Sequence, residues 1–282
     1  MFDSIYIVYG LLIITIICIL TILYMTCIST EVISKNIHYY TFFDKSTKKI
    51  LFHTSNPFYR KLNSVYMSNS IKSQLISTVN DFKKYSNMFK QNNVPRSLRL
   101  ILSGKEGIGK TTLIEAIASE IDYGLIHFPK NNYSEMMINA FFNELNTNIS
   151  PNNIIVFDDI NFNSIYEYNK QLYDLLADQI IRNDKNNIFI FTFTDLKSIE
   201  YIFTNNFHIH HHYHMDVNIN YIMDMINDNI DDDENKEVNL KIIRQNFLHI
   251  NHKITLGYII PYLLFNEDFQ KSLERFFRII KN

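Results

Sequence analysis

The sequence predicts an α/β protein: a parallel sheet with crossover helices, preceded by one apolar helix long enough to span a membrane and followed by a purely helical segment. Three observations predict it. Residues 5–28 carry no charged side chain, residues 98 to about 216 alternate short apolar runs with amphipathic stretches, and helical spacing alone continues from there to residue 282.

The apolar run "IYIVYGLLIITIICILTILYMTCI" would measure roughly 36 Å as a helix, against a bilayer core of about 30 Å. A signal peptide would need a basic start and a small-residue cleavage site. The chain instead opens "MFDS" and shows no such site, and a buried core helix would show a polar face. Residues 1–30 are therefore expected to be a transmembrane anchor. Lys35, Lys45, Lys48, Lys49, Arg60 and Lys61 outnumber Glu31 and Asp44 on the C-terminal flank. The positive-inside rule then leaves the large C-terminal part on the cytoplasm-like side, either cytosol or mitochondrial matrix. Residues 31–62 read as a short basic linker containing a hairpin, "HYYTFFDKSTKKILFHT". Both cysteines, Cys18 and Cys27, fall in the anchor, so no disulfide framework is expected.

Composition sets the wider limits. A content of 46% apolar residues supports a real core, and a net charge of −2 provides no basic field for nucleic acid. No helix-turn-helix, RNA-recognition or zinc-finger pattern is present, so no nucleic-acid partner is expected.

In residues 63–215 the segment "NSIKSQLISTVNDFKKYSNMF" places Ile71, Leu75, Ile76, Val79 and Phe82 at helical spacing. The order that follows is "LRLILSG", "TTLIEAIASEI", "GLIHF", "MMINAFFNEL", "NNIIVFDD", "YNKQLYDLLADQIIR" and "NIFIFTFT". Strand and helix alternate, which means a parallel sheet. Residues 216–282 offer four helical stretches and the acidic loop "DDDENKE".

The stretch "GKEGIGKTT" carries the chemistry. Gly104, Gly109, Lys110 and Thr111 match G-x-x-x-x-G-K-[ST] directly after a strand and directly before a helix. In a phosphate-binding loop of this kind, the backbone of Gly104, Lys105, Glu106, Gly107, Ile108 and Gly109 turns its N–H groups onto phosphate oxygens. Lys110 reaches the β and γ phosphates, Thr111 holds Mg²⁺, and Thr112 continues the cradle into the helix. ATP and Mg²⁺ are the expected cofactors. The strand "NNIIVFDDIN" supplies the complementary acids, Asp158 for Mg²⁺ and Asp159 to orient the attacking water. A third strand ends in Thr192, Thr194 and Asp195, where a polar side chain could touch the γ phosphate or the water, or simply run out into solvent.

With these residues in view, the chain resembles the AAA ATPases, and especially the membrane-anchored chaperones that translocate the Rieske iron–sulfur protein. The resemblance runs over residues 65–280, through the loop, "NIIVFDDIN", "FIFTFTDLKSIEYIF" and "ITLGYIIPYLLFNEDFQKSLERF". It implies a P-loop NTPase subdomain with a C-terminal helical lid, a homo-oligomeric ring and a protein substrate. It also places Thr194 at the position of the usual sensor Asn, as a third catalytic residue beside Lys110 and Asp159. Three departures stand out. Lys105 and Glu106 replace two prolines, the arginine fingers expected in "TNNFHIHHHYHM" are absent, with Arg182 as a candidate substitute, and the middle domain is cut to a few dozen residues. An ATP-binding scaffold with negligible hydrolysis is therefore the alternative to a motor. A small-molecule kinase is disfavoured, since nothing marks an acceptor site.

Two further features remain open. His208, His210, His212 and His214 would share one strand face, as a Zn²⁺ or titrating row or as a polar strand edge. Tyr133 would be the pore aromatic of a ring, or a plain surface tyrosine.

Overall fold

The computed structural model describes residues 38–55, 60–91, 96–130, 133–183, 185–194, 202–216 and 218–229, together with Lys241, Arg244 and Gln245. The expected anchor, residues 5–28, lies outside the described residues, as does nearly all of the expected lid beyond residue 229. Among the described residues no helix is long and apolar enough to cross a membrane.

Seven strands form one sheet in the order β2-β1-β4-β5-β6-β3-β7. They are β1 (His38–Asp44), β2 (Lys49–Ser55), β3 (Ser97–Ser103), β4 (Gly124–His127), β5 (Asn153–Asp158), β6 (Asn187–Phe193) and β7 (His211–His214). Only β1 and β2 pair antiparallel; every other ladder is parallel. The helices are α1 (Asn69–Gln91), α2 (Lys110–Ile121), α3 (Glu135–Thr147), α4 (Phe162–Tyr168), α5 (Lys170–Ile181), α6 (Ile202–Asn206) and α7 (Ile219–Asn229).

The central strands read as unbroken apolar runs because both of their faces are covered. Period two still sorts their side chains. Ile154, Val156, Ile188 and Ile190 pack with Leu75 and Val79 of α1 and Leu113 and Ile117 of α2. Ile155, Phe157, Phe189 and Phe191 face the opposite core with Phe141, Phe142, Leu176 and Ile180. That second core is built from aromatic rings: Phe162 lies 5.7 Å from Phe191, 4.7 Å from Phe203 and 5.4 Å from Phe207 between ring centroids. Phe162 opens α4, so this packing fixes the turn that follows β5.

Two local readings change in the structure. The hairpin is not a separate linker element, because His38–Tyr40 pair with Leu125–His127 and extend the sheet at its edge. Its turn is closed by Asp44, which accepts from the Ser46 N–H at 2.9 Å, the Ser46 hydroxyl at 2.7 Å and the Thr47 hydroxyl at 2.7 Å. These bonds hold its carboxyl down at about 2. The helix expected from Tyr168 starts instead at Lys170, as α5, where the Asn169 side chain accepts from the Leu172 N–H at 3.0 Å and caps it, and a separate short helix that the sequence reading did not single out, α4, runs just ahead of it.

The hairpin brings His38 and Tyr40 onto His127, with ring centroids 4.6 Å and 4.8 Å away. His127 is 5% exposed, and neither ring nitrogen has a hydrogen-bond partner. Burial, with His38 adding, pulls its pKa down to about 4 from an ordinary 6.5. The unfolded chain therefore binds the proton first. His127 adds no pH penalty above about pH 6.5, and stability falls as pH drops from there toward 4, by about 2.5 kcal/mol at pH 4.5. His127→Phe keeps the ring stack and removes the titration. Urea unfolding of the variant at pH 7.5 and pH 4.5 should show a loss smaller by about that amount than in the wild type.

Candidate functional site

At the C-terminal ends of β3, β5 and β6 the chain brings the expected loop and acids together. The loop leaves β3 at Ser103 and enters α2 at Lys110. Gly104, Gly107 and Gly109 have φ of 148°, 72° and 104°, in the region that favours glycine. At Gly104 space also excludes any other residue, since a Cβ there would sit 2.5 Å from the Met215 carbonyl oxygen. The Gly104 N–H donates to the Phe193 carbonyl at 3.0 Å, and the Met215 N–H donates to the Ser103 carbonyl at 2.8 Å. The loop is thus tied to β6 on one side and to the end of β7 on the other.

Lys110 is buried, and its ammonium donates to the carbonyls of Gly104 at 2.6 Å and Lys105 at 3.2 Å. The loop therefore curls around its own cation. Burial lowers the Lys110 pKa, opposed by the charges of Asp159, Asp158 and Glu106, so one electrostatic field joins the loop and the acid pair. Lys105, Glu106 and Gly107 are exposed, Ile108 is buried, and Thr111 lies exposed in the first turn of α2.

Asp158 ends β5 and is tied on both oxygens. Oδ1 accepts from the Thr192 hydroxyl at 2.7 Å and Oδ2 from the Lys130 ammonium at 2.7 Å. Burial raises its pKa, but the Lys130 and Thr192 hydrogen bonds and the Lys130 charge outweigh burial, and the carboxyl lies below its ordinary value. Asp159 goes the other way. Burial raises it, with Asp158 and Glu106 adding and Lys110 and Lys130 opposing. The environment pushes the two acids apart: one is fixed as an anion, while its neighbour becomes the more basic carboxylate. Asp159 also adopts a left-handed φ of 49°, held by its N–H donating to Thr192 Oγ1 at 2.9 Å.

Thr192 is thus the hydroxyl that serves both acids, and it is wholly buried. Thr194 is exposed in the bend beyond β6, and Asp195 lies outside the described residues. The sequence marks the strand end but does not say which of two threonines points inward. The residues fit a hydrated Mg²⁺, because the Thr111 hydroxyl and the Asp158 carboxylate are hard oxygen donors beside a cation-holding phosphate loop.

A cavity of about 220 Å³ adjoins the loop through Ile108. Tyr66, Met67 and Ile71 form one wall, Met215, Tyr221 and Ile222 another, and Asp216 and Asn218 supply polar groups. A slot that mixes apolar and aromatic side chains with polar groups, beside a phosphate loop, suits the flat base of a nucleotide and its hydrogen-bonding edge. No motif announced it, because its walls come from segments about 150 residues apart in sequence.

The histidine row divides. His210 Nδ1 accepts from the Arg99 backbone N–H at 3.0 Å, while Ser103 Oγ lies 2.7 Å from His212 Nε2 and 2.8 Å from His214 Nδ1. His214 Nε2 pairs with Asp216 at 3.0 Å. Three of the four histidines therefore seam β7 to β3. Among the described residues no group of three or more His, Cys, Asp or Glu side chains could hold a metal ion. Tyr133 is half-buried, packed over Phe128 at 6.3 Å between centroids.

Comparison with known proteins agrees with this geometry. Residues 100–213 match the model of the "ATPase family associated with various cellular activities (AAA)". The chain is 29% identical over 103 residues to the probable mitochondrial chaperone BCS1-A of Dictyostelium discoideum, covering 36% of this chain and 24% of that one. It is 27% identical over 101 residues to the probable mitochondrial chaperone bcs1 of Schizosaccharomyces pombe, covering 36% and 22%. The match thus spans about a quarter of the length of these curated relatives. Among solved structures, C. elegans PCH-2 aligns with a TM-score of 0.52 at 14% identity, over 77% of this chain and 70% of that one. The FIGL-1 AAA domain aligns with a TM-score of 0.52 at 15% identity, over 72% and 70%. At such identities these two show the fold alone. The loop and the acid pair both lie within the matched stretch: residues 100–213 match the AAA family and are similar in sequence to BCS1-type chaperones.

Proposed function

We propose that the chain is an ATPase that works as a homo-oligomeric ring, anchored to a membrane by residues 5–28, and that it remodels or translocates a protein substrate. The observation that carries the catalytic part is the convergence of Lys110, Asp158, Asp159 and Thr192 at one end of the sheet. The similarity to chaperones supports the substrate class, and the uncharged N-terminal run supports the anchor. The basic flank supports a cytosolic or mitochondrial-matrix side for the module.

ATP would lie with its base in the Tyr66–Tyr221 slot and its phosphates along the N–H groups of residues 104–112. Thr111 and Asp158 would hold Mg²⁺, which would supply positive charge to offset the charge that develops on the transferring group. Lys110, already inside the loop, exchanges carbonyl partners for phosphate oxygens. Asp159, the more basic acid, accepts a hydrogen bond from the attacking water and aims it. Thr192 holds Asp159 in its unusual backbone conformation. Thr194, exposed just past β6, is the proposed contact for the γ phosphate or the water.

The second reading is an ATP-binding scaffold with negligible hydrolysis, and one observation favours it. Residues 204–215 contain no arginine. Arg182 caps the end of α5, ahead of the N-terminal end of β6, and pairs with Asp178 at 2.6 Å. It therefore sits at the opposite end of the strands from the phosphates of its own subunit.

ATP hydrolysis by the full chain in detergent, followed against protein concentration, separates the two readings. A motor gives a rate per subunit that rises with concentration and falls by about 100-fold or more in Lys110→Ala and Asp159→Asn. Binding that needs Lys110, with no hydrolysis above the Asp159→Asn background, establishes the scaffold. A second substitution tests the acid pair. Thr192→Val keeps shape but strips a hydrogen bond from each aspartate, so kcat should fall by about tenfold or more while nucleotide affinity changes little.

A further inference from the structure

Lys130 has no part in the expected phosphate chemistry, yet it holds one of the two oxygens of the metal-binding acid. Its side chain is 59% exposed, while Asp158 is 21% exposed. The root of this lysine is fixed. Phe128, two residues earlier, is buried, donates its N–H to the Val156 carbonyl at 2.9 Å and stacks on Phe157 at 4.5 Å. The ammonium is therefore delivered to the end of β5 by the neighbouring strand and held there at 2.7 Å, while its stem stays in solvent.

With Thr192 on Oδ1 and Lys130 on Oδ2, both carboxylate oxygens are engaged by donors of the protein. A divalent cation that uses Asp158 through Oδ2 must share or take the oxygen that the ammonium holds, and one that uses it through Oδ1 or through a water still meets that ammonium's positive charge beside it. Resting on the nucleotide-binding reading above, we propose that Lys130 is a built-in competitor of Mg²⁺ at Asp158, which raises the metal concentration the site needs and keeps the acid neutralised when no metal is bound. An ordinary surface ion pair would have two exposed partners and little consequence. Here one partner is sheltered and is the acid on which the metal site depends. Lys130 is a positioning residue in this scheme and touches neither ATP nor the water.

The test uses the full chain in detergent with a fluorescent N-methylanthraniloyl ADP, titrated with Mg²⁺ at fixed nucleotide. In Lys130→Met the Mg²⁺ concentration for half-maximal enhancement of binding should fall by about threefold to fivefold, the range set by one half-sheltered ion pair. Lys130→Arg retains the cation and should stay close to the wild type. An unchanged half-saturation in Lys130→Met, or a higher one, overturns the proposal while leaving nucleotide binding intact. A wild-type chain that binds the ADP at no Mg²⁺ concentration overturns it together with the nucleotide reading. Each readout is binding, so neither failure is confused with a slow turnover.

Discussion

The end of β6 is the point from which the site hangs. Within two residues it supplies the Phe193 carbonyl that receives the Gly104 N–H and the Thr192 hydroxyl that joins Asp158 and Asp159. Loop and acids come from strands on either side of β6, so neither touches the other's backbone directly. Their separation is fixed because β6 cannot move. Phe189, Phe191 and Phe193 lock it into one core while Ile188 and Ile190 lock it into the other. Close packing of rings thereby becomes angular precision at two carboxylates.

The electrostatics show a similar economy of parts. Asp158, Asp159 and Glu106 crowd near one loop, and like charges at such range would repel without counter-ions. Two lysines answer them from different directions: Lys110 from inside the loop and Lys130 from the β4 side. Lys105 and Glu106 bring one charge of each sign to the loop, so they leave the local balance unchanged. The depressed Asp158 and raised Asp159 follow from this placement, since Lys130 and Thr192 serve the first acid directly and the second only through space or backbone.

Much of this was legible in the sequence. A phosphate loop is a local device, so contiguous residues 104–112 specify it, and continuous apolar runs announce strands buried on both sides. The structure departs where distant segments meet. Thr192 and Thr194 differ by two positions and so lie on the same nominal face of an extended strand, and only the end of β6 at Phe193 separates the buried one from the exposed one. The cavity beside Ile108 is walled by residues 66–71 and 215–222, which meet only after folding. The histidine row does lie along the edge strand β7, as a polar strand edge, but its partners on β3, Arg99 and Ser103, were hidden within an apolar pattern. The short helix α4 carries too few residues to display a period, and its place is fixed by the burial of Phe162 in the ring cluster.

The hairpin joins the sheet through a parallel ladder of three register pairs, from His38 on Leu125 to Tyr40 on His127. Tension entering the molecule through the chain ahead of His38 runs along β1 and therefore loads that ladder in shear, so its hydrogen bonds resist together instead of unzipping one by one. The strand that takes up this load is β4, and three residues beyond its end stands Lys130. A mechanical pull would thus be taken up by the same strand that delivers the Lys130 ammonium to Asp158.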